Sequence, residues 1–257
     1  MPRSDDISNH PEETFTLQKI IDGVYDKELS KWALDAKEDN INLLVDFALE
    51  MNGDWFPWSG VFNGGSTTTD YGDPTLADGP ERYRDAYRHI ITLFREHHVD
   101  NITWVFHFNY GTLPYEEWNK PVHYYPGDEY IDWVGFSLYG AQTTSEPWDE
   151  LMFSTILEDY IDDFNEINTT NPIALLEFGV TDNHPDGDKS VWLNDAFKTI
   201  LSNPYIIFKA INPWHEDWQN EDETYSTLRL DSSKEVKQTF QNWIQDERFI
   251  SYPVEEQ

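Results

Sequence analysis

The chain has 257 residues, 39% hydrophobic and 16% aromatic, enough apolar material for the core of one large α/β domain and too much for a disordered chain. Lys and Arg number 17 against 49 Asp and Glu, a net charge of -32 at pH 7 that repels phosphate backbones and anionic lipid headgroups, so nucleic acid and membrane surfaces are excluded as partners. With no cysteine, disulfides, thiolate nucleophiles and cysteine zinc sites are excluded too, and no apolar run reaches the roughly 18 residues of a spanning helix.

The opening "MPRSDDISNH" lacks the apolar stretch of a secretion signal. Residues 25–37 place Leu29, Trp32, Ala33 and Ala36 on one face of a predicted helix, with Gly23 ending a short turn before it. "INLLVDFAL", 41–49, is a nearly continuous apolar run that predicts a strand buried on both faces, with Asp46 the exception. From Pro80 a second helix carries Tyr83, Ala86, Tyr87, Ile90, Ile91 and Phe94 on one stripe. Strands then follow near 102–108, 131–138, 172–178 and 205–211, and helices near 148–167, 189–202 and 233–246, an alternation that predicts a parallel sheet. Helix-to-strand links are short and strand-to-helix links long, as at 50–79, 109–130 and 212–232, so the long loops gather where the strands end, the face on which α/β enzymes put their chemistry. No repeat and no break in composition marks a boundary, so residues 1–257 are expected to form a single domain, with 1–15 poorly ordered.

Two predicted strands end in an isolated acid, "DFALE" at Glu50 and "IALLE" at Glu177. In a barrel these strands stand three apart and the two carboxyls face each other, the arrangement glycoside cleavage uses: one carboxyl protonates the leaving oxygen and the other stays ionised. A separation of about 5 Å gives retention and about 6.5 to 9.5 Å inversion. For a single Glu, a hydrogen-bond acceptor at a strand end is an equal reading; two together, ringed by aromatics, favour an enzyme. Trp55, Phe56, Trp58, Tyr110, Tyr139, Trp214 and Trp218 all fall at strand ends or in the long loops, where aromatic planes stack on the CH faces of sugar rings and neighbouring Asn52 and His107 bond hydroxyls. Taken singly, Phe56 and Trp218 read better as loop anchors, and His107 reads equally as a structural histidine.

Other chemistries fit poorly. "GFSLY" at 135–139 has Tyr139 where a serine nucleophile elbow needs Gly. A calcium loop from Asp182 would meet Leu193 where its bidentate Glu belongs, and H-E-x-x-H does not occur, so neither metal nor cofactor is expected.

With these residues in view, nearly the whole chain resembles glycoside hydrolase family 26, the retaining family of the large (β/α)8 clan that contains β-mannanases. The segments that carry the resemblance are "EMNGDWFPWS" (50–59), "WVFHFN" (104–109), "YYPGDEYIDWVGFSLYG" (124–140), "PIALLEFGV" (172–180) and "NPWHEDWQNED" (212–222). The resemblance implies a (β/α)8 TIM-barrel type α/β fold, Glu50 at the end of the fourth strand as acid/base, and Glu177 at the end of the seventh as nucleophile. Tyr139 matches the tyrosine that orients the nucleophile, Trp55 and Trp214 match aromatics of the sugar sites flanking the cleaved bond, and Asn52 belongs to the same motif. It implies a polysaccharide or oligosaccharide as partner and an extracellular location.

Three departures stand out. The family usually writes His directly before the acid/base and Arg four residues before it, where this chain has Leu49 and Asp46. Mannanases often carry Asp two residues before the active-site Tyr, where this chain has Ser137. The relatives include enzymes of mixed-linkage β-glucan and β-1,3-xylan, so the linkage stays open. Finally, the 40 residues before "INLL" hold a helix and too little else for strands one to three. An N-terminally incomplete barrel is expected, either a shortened gene model, which would have lost any signal peptide, or one part of a site completed by another chain.

The reading that follows is a retaining endo-glycoside hydrolase of a β-linked polysaccharide, β-1,4-mannan first. A catalytically impaired carbohydrate-binding remnant is the runner-up, and an acidic barrel with neither affinity nor turnover is third. The acids are spread along the chain rather than gathered in a tail, the pattern of a protein kept soluble in high salt, where screening relieves self-repulsion. The melting temperature is therefore expected to rise from dilute to molar KCl, and a flat or falling trend would argue against halophilic adaptation.

Overall fold

The computed structural model describes residues 15–220 and 223–250. The poor order expected over residues 1–15 falls, but for Phe15, outside the described residues. Helix α1 (Leu17–Ile21) starts where the Thr16 hydroxyl accepts from Lys19 N, and Gly23 at φ 71 turns the chain away from it. Helix α2 (Asp26–Asp39) begins with two acids in its first turn and ends at left-handed Asn40. It buries Ala33 and Ala36 and sets Trp32 edge-on to Phe94 at 4.8 Å.

Strand β1 (Leu43–Asp46) is shorter than its apolar run predicts. The extended conformation cannot continue because Ala48 and Glu50 both take φ 53, so Glu50 stands in a turn four residues past the strand rather than closing it. Helix α3 (Asp78–Glu96) buries the predicted stripe, and Tyr87 OH donates to Val105 O at 2.7 Å. Then come β2 (Ile102–Asn109), the single turn α4 (Pro121–Tyr124), β3 (Trp133–Tyr139), α5 (Phe153–Glu166), β4 (Ile173–Gly179), α6 (Lys189–Ser202) and β5 (Phe208–Pro213). A short antiparallel hairpin, β6 (Asp217–Gln219) with β7 (Tyr225–Thr227), precedes α7 (Lys234–Trp243).

The main sheet has the order β1-β2-β3-β4-β5. Strand β1 pairs in parallel with β2, Asp46 opposite Val105, and β2 in parallel with β3, Asn109 opposite Ser137. The described residues pack as two compact units, one of residues 15–137 and 160–176, the other of 138–159, 177–220 and 223–250. The first is cored by aromatics: Tyr83 meets Tyr124 edge-on at 5.6 Å, and Phe108 stacks on Phe136 at 5.7 Å. The second is centred on fully buried Trp192, edge-on to Phe153 at 5.8 Å and stacked on Phe178 at 6.5 Å. Its helix α6 is capped by Asp188, whose side chain accepts from Ser190 N and Val191 N.

Lys189, the first residue of α6, is buried with Nζ donating to Thr227 O at 3.0 Å and Arg229 O at 2.8 Å, so one ammonium ties the helix start to the hairpin and the segment after it. Burial lowers its pKa to about 8, against the raising influence of Asp182, Asp217 and Asp231. The folded value lies below the usual 10.5, so between these two pH values the unfolded chain binds more protons than the folded one, and stability rises with pH across that window. Lys189→Met removes the titration and leaves two carbonyls without a donor, a loss of about 2 kcal/mol. The stability gap between wild type and Lys189→Met in urea titrations is expected to widen from about pH 7.5 to about pH 10; a constant gap would contradict the buried ammonium.

Candidate active site

Glu50, Asn52, Trp55, Trp58 and His107 lie in the first unit; Tyr139, Glu177 and Trp214 lie in the second. Glu50 is buried, its Oε2 accepts from Trp55 Nε1 at 2.8 Å, and its own N–H donates to His107 O at 2.8 Å, which fastens the turn to the end of β2. Gly53 is required here because a Cβ would fall 2.4 Å from the Trp55 ring. Trp58 donates from Nε1 to Leu49 O at 2.7 Å and stacks on Phe56 at 4.6 Å, so this pair braces the loop.

Asn52 has no exposed surface. Its Nδ2 donates to Asn109 O at 2.8 Å while its Oδ1 accepts from Asn109 N at 2.9 Å, so the side-chain amide continues the backbone pairing where β2 ends. Its own carbonyl accepts from Asn119 Nδ2 at 2.8 Å. Farther along, two acids at the start of α3 hold the long loop: Asp78 accepts from Thr67 Oγ1 and Asp70 N, and Glu81 accepts from Asp73 N. The helix N-terminus favours carboxylates at both places.

His107 is buried between Asp46 and Ser137. Its Nδ1 meets Asp46 Oδ2 at 2.5 Å and its Nε2 meets Ser137 Oγ at 2.7 Å. The carboxylate accepts from Nδ1–H, and the ring joins the acid on one strand to the hydroxyl on the other. Spacing along the chain does not reveal this Asp46–His107–Ser137 chain; the signal lies in three polar residues inside apolar strands, which the parallel register staggers by two residues from strand to strand.

In the second unit Glu177 stands within β4, two residues before its end, and its Oε2 accepts from Tyr139 OH at 2.7 Å. Trp214 follows β5 directly, its N–H donating to Phe178 O at 2.8 Å and its ring edge-on to Tyr139 at 6.5 Å. Its indole Nε1 is buried with no hydrogen-bond partner among the described residues. Trp218 is anchored to its own hairpin through Asn220 Oδ1 at 3.0 Å. Among the described residues, no group of three or more His, Asp or Glu side chains is placed to hold a metal ion, and no helix is long and apolar enough to cross a membrane.

Residues 4–171 match the family model described as Glycosyl hydrolase family 26. The chain belongs to glycosyl hydrolase family 26. Endoglucanase H of Acetivibrio thermocellus is 25% identical over 228 residues, which are 88% of this chain and 22% of the endoglucanase. Among solved structures, GH26C from a Muricauda species superposes with TM-score 0.64 at 17% identity, over 92% of this chain and 61% of that one. An endo-β-1,4-mannanase catalytic domain of Bacillus sp. JAMB-750 gives 0.58 at 20% identity, over 88% and 57%. A double mutant of the Cellulomonas fimi endo-β-1,4-mannanase gives 0.61 at 19%, over 91% and 50%. The chain thus spans about a fifth of the endoglucanase and 50 to 61% of these solved chains. The fold of this family 26 chain is α/β of the (β/α)8 TIM-barrel type, with five strands in the main sheet of the described residues.

The double bond between Asn52 and Asn109 predicts a sharp response to a nearly isosteric change. Asn52→Asp keeps the acceptor for Asn109 N but sets a carboxylate oxygen against Asn109 O, and is expected to destabilise by about 2–3 kcal/mol in urea unfolding. A loss below about 0.5 kcal/mol, the level of an ordinary surface change, would mean that the amide does not hold the loop.

Proposed function

We propose that this family 26 chain is a retaining endo-glycoside hydrolase of a β-linked polysaccharide, with Glu177 as nucleophile and Glu50 as acid/base. The observation that carries the reading is that each acid receives a hydrogen bond from an aromatic side chain able to sit beside a sugar: Trp55 Nε1 on Glu50 and Tyr139 OH on Glu177. A donor fixed on one carboxyl oxygen sets the orientation of the group and leaves its other oxygen free to act.

In the proposed reaction a Glu177 oxygen attacks the anomeric carbon as the bond to the leaving oxygen breaks, and the Glu50 proton passes to that oxygen. A glycosyl ester of Glu177 forms. Glu50, now ionised, takes a proton from water, the water attacks the anomeric carbon from the vacated side, and Glu177 leaves with the sugar's configuration retained. Trp55, Tyr139 and Trp214 would line the sugar. Asn52, Trp58 and His107, whose polar atoms are engaged by protein, would act by holding that surface in place. The extracellular location expected of the family would place the enzyme where such a polysaccharide is met.

The first substrate is β-1,4-mannan, supported by the mannanase catalytic domain and mannanase mutant among the solved relatives. A β-glucan is the second, supported by the relative named as an endoglucanase and by Leu49 and Asp46 in place of the mannanase His and Arg. Reducing-sugar release in molar KCl on mannan, mixed-linkage glucan and β-1,3-xylan tests both. Activity on one polymer, lost to background in Glu177→Ala, is the expected result; an unchanged rate in that variant would sink the assignment. Affinity without release of reducing ends would favour the carbohydrate-binding remnant.

A further inference from the structure

We infer that the loop after β2 carries an additional sugar subsite, built on Tyr115 and taking one pyranose of a neutral β-linked polysaccharide. The inference rests on the glycosidase reading and extends it to a residue outside the motifs that suggested it. Tyr115 is 73% exposed and neighbouring Leu113 47%. Scattered exposed apolar residues are ordinary on a soluble protein. This one differs in how it is held. Leu113 N donates to Asn52 O at 2.9 Å, and Asn119 Nδ2 donates to both Asn52 O at 2.8 Å and Pro114 O at 3.1 Å. Glu116 N donates to Pro114 O at 3.0 Å. The segment on either side of Tyr115 is thus bonded to the peptide two residues after Glu50, and the ring is carried by a loop of fixed conformation.

The ring's orientation is set from behind. Tyr160 on α5 meets Tyr115 edge-on at 6.5 Å and an interplanar angle of 82°, and Tyr110 meets Tyr160 edge-on at 5.4 Å. An aromatic plane that is exposed, buttressed and already ordered loses little conformational freedom on binding, the property of a recognition surface. The chemistry of the ligand follows from the surroundings. The CH face of a pyranose fits a tyrosine plane, exposed Glu116 beside it accepts from hydroxyls, and the net charge of -32 turns away acidic polymers. Continuity with the Glu50 loop makes a further unit of the same chain the occupant.

The test is calorimetric titration of the Glu177→Ala chain, which leaves polymer uncut, with galactomannan, mixed-linkage glucan and β-1,3-xylan in molar KCl. Binding of at least one polymer is expected, weakened about five- to tenfold by adding Tyr115→Ala and within about twofold of the parent with Tyr115→Phe. In the otherwise unmutated chain, kcat/KM on that polymer should fall by a similar factor through KM. Unchanged affinity in Tyr115→Ala overturns the subsite and leaves the glycosidase reading standing. Unchanged affinity together with loss of concentration-dependent association in sedimentation would assign the ring to a protein contact instead. Binding of no polymer by the Glu177→Ala chain overturns both.

Discussion

The first unit's part of the site depends on how the chain leaves β1. A strand of apolar residues would run on; here Ala48 and Glu50 take left-handed conformations that cost non-glycine residues about 1–2 kcal/mol each. Such strain persists only where surrounding bonds over-determine it. They do. Tyr83 OH donates to Phe47 O, Trp58 Nε1 to Leu49 O and Gly53 N to Glu50 O, while Glu50 N donates to His107 O. The carbonyls of Phe47, Leu49 and Glu50 are each taken by a different donor, and the carboxyl of Glu50 is delivered beside Trp55. The same logic extends to Asn52, which turns a loop into an extension of the sheet. Disturbing any of these residues would reach Glu50 through its backbone.

Charge is the second constraint. With so few cations, the acids that must be held in place are held by neutral donors: backbone N–H groups at Asp78, Glu81 and Asp188, an indole at Glu50, a phenol at Glu177. The cations that are present are concentrated. Lys120 gathers Glu117, Asp163 and Glu166 within 3.1–3.2 Å, and its pKa is raised chiefly by its bonds to Glu117 and then Glu166. Lys189 is given over to backbone carbonyls. Neutral hydrogen bonds are nearly indifferent to ionic strength while repulsion among surface acids is not, so salt can relax the surface without loosening the site.

Much of this architecture is legible along the chain. Helix α6 runs over 189–202 as its periodicity predicts, because Asp188 caps it and Trp192, Leu193, Ala196, Phe197 and Ile200 fall on one buried face. The stripe of α3 is equally direct. What escaped was set by tertiary partners. The end of β1 was misjudged because no glycine marks the two left-handed residues, and hydrophobic continuity says nothing about φ. The single turn α4 and the hairpin β6–β7 are too short to carry a period. Asn52 reads as a sugar contact in its motif, yet its amide is consumed by Asn109, sequence-distant by 57 residues. In the same way Tyr115 has nothing in its local pattern to distinguish it from any loop tyrosine; its exposure and the bonds beside it come only with the fold.

The Asp46–His107–Ser137 chain bears on whether the departures from the family pattern are losses. Asp46 and Ser137 stand on strands β1 and β3, which do not touch; β2 lies between them. Random loss at such positions leaves buried polar atoms without partners, because deleting one member of a pair strands the other. Here every member is engaged: His107 on the intervening strand bonds both, and none of the three appears among the buried polar atoms lacking a partner in the described residues. Asp46 and Ser137 therefore form one coordinated unit, an acid and a hydroxyl joined through the imidazole of His107. The backbone carbonyl of His107 also accepts from Glu50 N–H, so the same residue meets the Asp46 and Ser137 side chains and the turn that carries Glu50.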